Sequence, residues 1–107
     1  MASFGQFIKS EREKREWTQT EFGAKIGINT SAICRIENGN QKFSKSKLKK
    51  LADLFQIDNQ SITDLFFADK FAREAFKYKC SDSIFIVAED TANYIKSTNV
   101  KQGQLDL

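Results

Sequence analysis

The chain has 107 residues, of which 40% are hydrophobic and 29% charged, a size and composition that suit one folded domain with a single core. Its 17 Lys and Arg and 14 Asp and Glu leave a formal net charge of +3, which excludes a polyelectrolyte. The longest apolar runs, residues 65–68 and 84–88, are far shorter than the roughly 20 residues of a membrane-spanning helix. With no secretion signal at the N-terminus either, we expect a soluble cytoplasmic protein without a membrane partner.

The residue types argue against an enzyme or a metalloprotein. The chain contains no His, and its two cysteines, Cys34 and Cys80, do not have CxxC spacing. Without His, neither a Ser-His nor a Cys-His catalytic pair can form, and no recognisable Zn site exists. We therefore expect free thiols, no catalytic residues, no metal and no cofactor.

Charge is distributed unevenly along the chain. Residues 1–57 hold 11 basic and 6 acidic residues, a net charge of +5, whereas residues 58–107 hold 6 and 8, a net charge of −2. Five lysines lie between residues 42 and 50, a cluster that can bind phosphates and gain affinity by releasing counterions. A solvated helix face is the alternative that composition alone favours.

Helical spacing dominates the start of the chain, and the absence of Pro agrees with a mostly helical protein. The apolar residues Phe4, Phe7 and Ile8 recur at i, i+3 and i+4, which predicts a first amphipathic helix over about residues 3–15. Ser3 is the expected N-cap of this helix.

Two short helices are predicted next. Residues 18–21, Thr-Gln-Thr-Glu, fit the capping-box pattern and begin a second helix, which ends at Gly27. Asn29 is expected to cap a third helix over residues 30–37, and the following Asn-Gly at residues 38–39 ends it.

Three further helices complete the prediction. The fourth runs from Ser44 towards Phe55, and the fifth from about residue 58 to about Lys79 with apolar residues on more than one face. Residues 84–87, Ile-Phe-Ile-Val, have strand composition, but the apolar spacing continues with a helical period, so we predict a helix over about 83–97.

Two short helices joined by a turn that contains Gly have the spacing of a DNA-binding helix-turn-helix. Residues 17–39 resemble the Cro/C1-type (XRE) family of phage repressors and bacterial regulators, through Thr-Gln at 18–19, Gly23, Gly27 and Glu-Asn-Gly at 37–39. The resemblance covers about residues 4–67, and the layout that follows is similar to restriction-modification controllers.

The resemblance implies a fold and a division of the chain. The implied fold is all-α, a five-helix Cro/C1 repressor-like DNA-binding domain whose last helix is extended and followed by an additional C-terminal helix. Residues 1–67 would form the DNA-binding domain, 68–97 a helical dimerisation extension and 98–107 a flexible tail.

In this family the outward side of the third helix reads bases in the major groove. The base-contacting candidates are Thr30, Ser31, Cys34 and Arg35. Arg35 is the strongest, because an Arg fork matches O6 and N7 of guanine, and its alternative is a surface pair with a nearby Glu. Cys34 departs from the polar residue common in the family, and it could contact a thymine methyl, sense oxidants or do neither.

Residues around the third helix are expected to contact DNA phosphates, as family members do. The phosphate-contacting candidates are Thr18, Gln19, Asn38, Asn40, Gln41, Lys42 and Lys45. Arg12 and Glu37 resemble a family ion pair that ties the scaffold together, which we carry over as structural only.

These residues predict double-stranded DNA as a partner. A second copy of the chain is also predicted as a partner. Helix-turn-helix proteins usually bind as two-fold dimers, so we predict a homodimer through the apolar region of residues 62–97. Each interface candidate could equally belong to the chain's own core. The candidates are Phe66, Phe67, Phe71, Phe76, Ile84, Phe85, Ile86 and Tyr94.

The predicted function is a sequence-specific transcriptional regulator, such as a repressor, that binds a palindromic operator. The alternative is an antitoxin or another protein-interaction module whose C-terminal half binds a partner protein. An enzyme would need a nucleophile and a base that the sequence does not offer.

Overall fold

The computed structural model describes residues 3–101. Within that range the chain forms six α-helices and no strand. They are α1 (Phe4–Lys14), α2 (Gln19–Ile26), α3 (Thr30–Glu37), α4 (Leu48–Phe55), α5 (Asn59–Lys77) and α6 (Ile84–Lys101). The chain divides into two units within α5, between Lys70 and Phe71. None of the helices between residues 3 and 101 is both long and apolar enough to cross a membrane.

The first three helices begin at the predicted capping residues, and α2 also ends at the predicted one. The Ser3 hydroxyl accepts a hydrogen bond from the amide of Gln6 at 3.1 Å, and the Asn29 side chain accepts from the amide of Ala32 at 2.8 Å. Gly27 ends α2 with a left-handed φ of +82°, a conformation that glycine adopts without steric cost.

Two predicted helix boundaries are corrected by the structure. The fourth helix does not begin at Ser44, because residues 45–47 form a single 3₁₀ turn and the α-helix starts at Leu48. The fifth helix ends at Lys77 rather than Lys79, whose φ of +57° is incompatible with a continuing helix.

The C-terminal helix is longer than predicted. Residues 84–87 are helical, so their strand-like composition does not decide their structure. Residues 98–101, predicted as the start of the tail, continue α6, where the hydroxyl of Thr98 donates to the carbonyl of Tyr94 at 2.8 Å. The rest of the predicted tail lies outside the described residues.

An aromatic and aliphatic core fills the first unit. The rings of Trp17, Phe22 and Phe55 stack with centroids 5.6–6.4 Å apart, and Phe22 and Phe55 are fully buried. Ile33 and Ile36 place the inner side of α3 in this core, with exposures of 0% and 4%. The opposite side of α3 must therefore face outward.

Two glycines let backbones approach closely around α3. A Cβ atom at Gly23 would collide with the carbonyl oxygen of Ile28 in the turn and would lie 3.5 Å from Cγ1 of Ile33. The tightest contact is thus with the turn before α3 rather than with α3 itself. A Cβ at Gly5 would collide with the carbonyl of Ile36, so α1 packs directly on the end of α3.

The second unit is rich in exposed apolar side chains. Phe71 and Phe85 meet edge to face with centroids 5.6 Å apart, yet both remain exposed to solvent. Phe66, a predicted interface residue, belongs instead to the first unit, where its ring packs edge-on against Phe4 at 5.4 Å and against the core. This contact agrees with the alternative that Phe66 belongs to the chain's own core.

Candidate nucleic-acid interface

The exposed side of α3 carries all four residues predicted to contact bases. Thr30, Ser31, Cys34 and Arg35 are solvent-exposed, whereas the intervening Ala32, Ile33 and Ile36 are buried. The helical period thus separates α3 into an apolar inner side and a polar outer side. The outer side is short, two turns long, and free to approach a ligand.

Arg35 is held by a neighbour on the following loop. Its Nε donates a hydrogen bond to Oε1 of Gln41 at 2.8 Å. The predicted alternative, a surface pair of Arg35 with a Glu, is not found among the Glu residues within residues 3–99. Gln41 was predicted only as a phosphate contact, so its role beside Arg35 was missed.

Two further contacts fix the outer side of α3. The hydroxyl of Thr30 donates to the hydroxyl of Thr20 at 3.2 Å, which links the first turns of α2 and α3. The side-chain amide of Asn38 donates to Sγ of Cys34 at 3.6 Å. Thr20 was not predicted, because no periodicity connects residues at the starts of two different helices.

A buried polar network underlies this surface. Glu37 binds Arg12 at both oxygens, with Nε to Oε2 at 2.7 Å and Nη2 to Oε1 at 3.0 Å, and both residues are buried. Nη1 of Arg12 donates to the carbonyl of Trp17 at 2.8 Å. Hydrogen bonding to Glu37 raises the pKa of the Arg12 guanidinium. The predicted scaffold pair is therefore present, and it joins α1 to the end of α3.

Gln19 belongs to the same network. Its Nε2 donates a hydrogen bond to Oε1 of Glu37 at 3.0 Å. One N–H of Gln19, a residue predicted to contact a DNA phosphate, is therefore already bonded within the protein. The second N–H of that amide and its oxygen are left for other partners. The contact also fixes the first turn of α2 relative to the last turn of α3.

The N-terminus of α2 is closed by the predicted capping box. The Thr18 hydroxyl accepts from the amide of Glu21 at 3.0 Å, and the Glu21 carboxylate accepts from the amide of Thr18 at 2.8 Å. The backbone hydrogen bond from Thr18 lowers the pKa of Glu21. Since the Thr18 oxygen acts as an acceptor, its own O–H remains a donor for a phosphate.

The lysines after α3 do not all have the same role. Lys42 and Lys45 are exposed beside the loop that contains Asn38 and Asn40. Lys47 instead donates to the carbonyl of Ile26 at 3.3 Å, where its charge complements the C-terminus of α2. The structure therefore separates two candidates for phosphate binding from one lysine that supports the scaffold.

These features define a class of protein. Two short capped helices joined by a glycine turn, the second with an apolar inner side and a polar outer side, form a helix-turn-helix DNA-binding domain. Residues 8–58 match the family model described as helix-turn-helix. This match covers the predicted helix-turn-helix, and it agrees with the resemblance of residues 17–39 to the Cro/C1-type (XRE) family.

Two individual relatives agree with this match. The chain is 32% identical to the antitoxin PezA of Streptococcus pneumoniae serotype 4 (strain ATCC BAA-334 / TIGR4) over 91 residues, which cover 85% of this chain and 56% of PezA. It is 33% identical over 63 residues to the HTH-type transcriptional repressor RghR of Bacillus subtilis (strain 168), covering 58% of this chain and 47% of RghR. The chain thus spans about half the length of these curated relatives.

A solved structure shares the fold. The chain aligns with a structure titled SinR protein/SinI protein complex at a TM-score of 0.50 and 23% identity, covering 88% of this chain and 98% of that one. The predicted fold class, an all-α Cro/C1 repressor-like protein, is confirmed.

Proposed function

We propose that the chain is a sequence-specific DNA-binding transcriptional regulator, and not an enzyme, that binds with α3 in the major groove. One observation carries the proposal: Thr30, Ser31 and Arg35 are exposed together on a helix whose other side is locked into the core. A helix oriented in this way inside a helix-turn-helix domain presents short polar side chains and one Arg fork to base edges.

The surroundings of α3 support an approach to the DNA backbone. Lys42 and Lys45 are exposed after the recognition helix, and the hydroxyl of Thr18 lies at the positive N-terminus of α2. Contacts of this kind set the register of the protein on the duplex without reading sequence. As a DNA-binding regulator the chain would act in the cytoplasm.

A homodimer on a palindromic operator is the second part of the proposal. The second unit exposes large apolar side chains, among them Phe76 at 87% and Tyr94 at 70%, which a monomer in water would leave unburied. Two copies related by a two-fold axis place their recognition helices on half-sites about 34–36 Å apart, one helical turn of DNA.

Selection from random duplex DNA tests this proposal. The expected result is enrichment of an inverted repeat whose half-sites are one helical turn apart, and binding to it that exceeds binding to a scrambled duplex at every salt concentration. If no motif is enriched and binding is weak and equally salt-sensitive on both duplexes, the chain alone does not read sequence.

A second candidate function is a protein-interaction module of the antitoxin kind. The similarity to PezA extends over 85% of this chain, and the exposed aromatic side chains of the second unit offer a surface for a partner protein. Isolation of a stoichiometric complex with the product of a neighbouring gene, together with a monomeric chain in its absence, would favour this candidate over the homodimer.

A further inference from the structure

The contact between Arg35 and Gln41 is built by the backbone that follows α3. Gly39 has a left-handed φ of +81°. Its amide donates to the carbonyl of Ile36 at 3.1 Å, and the amide of Asn40 donates to the carbonyl of Arg35 at 2.8 Å. This hydrogen-bond pattern is a Schellman motif, which returns the chain towards the last turn of the helix. Gln41 is thereby placed beside the side chain of Arg35.

The contact restricts how Arg35 can meet a base. A guanidinium can bind two acceptors with its side edge, Nε and one Nη, or with its end, Nη1 and Nη2. The bond to Oε1 of Gln41, at 2.8 Å, occupies Nε and leaves the end. Guanine O6 and N7 form the pair of acceptors that such a fork matches.

We infer that Gln41 is a positioning residue that holds Arg35 for end-on contact with a guanine, which makes Gln41 a determinant of sequence specificity. This inference rests on the proposed function. Both side chains are exposed, so their contact lies outside the core and beside the base-contacting candidates of α3. A long Arg side chain loses rotamer freedom when it binds, and a contact already made in the free protein reduces that loss.

The competing role for Gln41 is a phosphate contact. The two roles differ in what they do to specificity, because a phosphate contact contributes equally on every sequence, whereas a residue acting through Arg35 changes preference at one base pair. That base pair is the position at which Arg35→Ala loses its preference in the selected operator.

The test compares binding to the selected operator and to a duplex altered at that base pair. Gln41→Met has similar length without an acceptor, and we expect it to reduce discrimination between the duplexes by roughly two- to tenfold. Gln41→Glu keeps an acceptor for Nε, so it should retain the discrimination while its added negative charge weakens binding to both duplexes. In the Arg35→Ala background, Gln41→Met should cause no further loss of discrimination.

Lys42→Ala is the matched control, from the adjacent exposed position. It should weaken binding to both duplexes by the same factor. The inference would be overturned if Gln41→Met weakened binding to both duplexes by the same factor, as expected for Lys42→Ala. It would also be overturned if the effect of Gln41→Met added to that of Arg35→Ala, or if Gln41→Met left both affinities unchanged. Failure of the proposed function has a separate signature, the absence of any enriched motif with the wild-type chain, and it would overturn this inference as well.

Discussion

At the scale of single residues, the buried pair of Arg12 and Glu37 does more than join two helices. Glu37 accepts from both Arg12 and Gln19, and Arg12 also donates to the carbonyl of Trp17. Every charged end in this cluster has a partner within the protein. The buried polar groups beneath α3 therefore have hydrogen-bond partners within the protein, and they hold α3 with its outer side exposed.

Removal of Glu37 should be strongly destabilising. Glu37→Ala leaves the buried Arg12 guanidinium without its carboxylate, and we expect the free energy of unfolding to fall by about 3–5 kcal/mol. Urea denaturation measures this change. Lys14→Ala, which breaks an exposed ion pair with Glu11, is the control and should cost no more than about 1 kcal/mol. Equal effects of the two substitutions would mean that the buried pair is not structurally important.

The lysines after α3 should separate by salt dependence. Lys42→Ala and Lys45→Ala each remove one proposed phosphate contact, so each should weaken binding on all sequences and reduce the slope of log affinity against log salt by about 1. Lys47→Ala is the control from the same segment, since the Lys47 ammonium is bound to the carbonyl of Ile26. Titration of DNA binding against salt measures the slopes, and a reduced slope for Lys47→Ala alone would reverse this assignment.

Residue-level contacts could be predicted from the sequence only in part. The exposed positions of α3 follow from helical periodicity around Ile33 and Ile36, and the ion pair of Arg12 and Glu37 followed from the family resemblance. The contacts of Gln41 with Arg35 and of Thr20 with Thr30 depend on backbone turns and rotamers. No spacing rule in the sequence predicts these two contacts.

At the scale of elements, local signals explain which predictions agree with the structure. The caps Ser3, Thr18 and Asn29 satisfy amides at the start of the same helix, so their effect is readable from four residues of sequence. The 3₁₀ turn at residues 45–47 has no such signal, and its Ser44 makes no side-chain cap. The predicted end of α6 was too early, because the run of polar residues 96–99 interrupts the apolar spacing on which the prediction rested.

The capping box of α2 should make stability depend on pH. The fold lowers the pKa of Glu21, so its carboxylate contributes stability above its unfolded pKa of about 4.3, and this contribution is lost as pH falls through the folded pKa. Glu21→Gln should therefore be less stable than wild type at pH 7, and the difference should shrink in acid.

Thermal or urea unfolding between pH 7 and pH 3 measures this difference. Glu13→Gln, which neutralises an exposed carboxyl in the body of α1 and outside the capping box, is the control. A difference between wild type and Glu21→Gln that stays constant across this range would show that the charge of Glu21 does not contribute to the cap.

At the scale of the whole molecule, the two units differ in how far sequence can specify them. Residues 17–39 predicted the helix-turn-helix, because its turn, caps and core positions are all local. The apolar residues of α5 and α6 cover more than one helix face, and such a pattern fits a core and an interface equally well. Phe66 is partly buried and packs against the core of the first unit, while Phe76 and Tyr94 are exposed.

The homodimer should depend on these exposed side chains. We expect wild type to sediment as a dimer at micromolar concentration, and Ile86→Ser combined with Tyr94→Ser to shift it towards monomer, since both side chains are exposed in the single chain. Glu89→Ser on the same helix is the control and should leave the dimer intact. A monomeric wild type at micromolar concentration would contradict the homodimer.

The most direct test of the account is a parallel selection of DNA sites by wild type, Arg35→Ala and Arg35→Lys. If α3 reads bases, both variants should lose preference at one base pair in each half-site and keep the rest of the motif, because neither retains the Arg fork. Arg35→Lys should also keep more of the non-specific affinity, since it retains the charge. Recovery of the same motif by all three proteins would contradict a recognition role for the exposed side of α3.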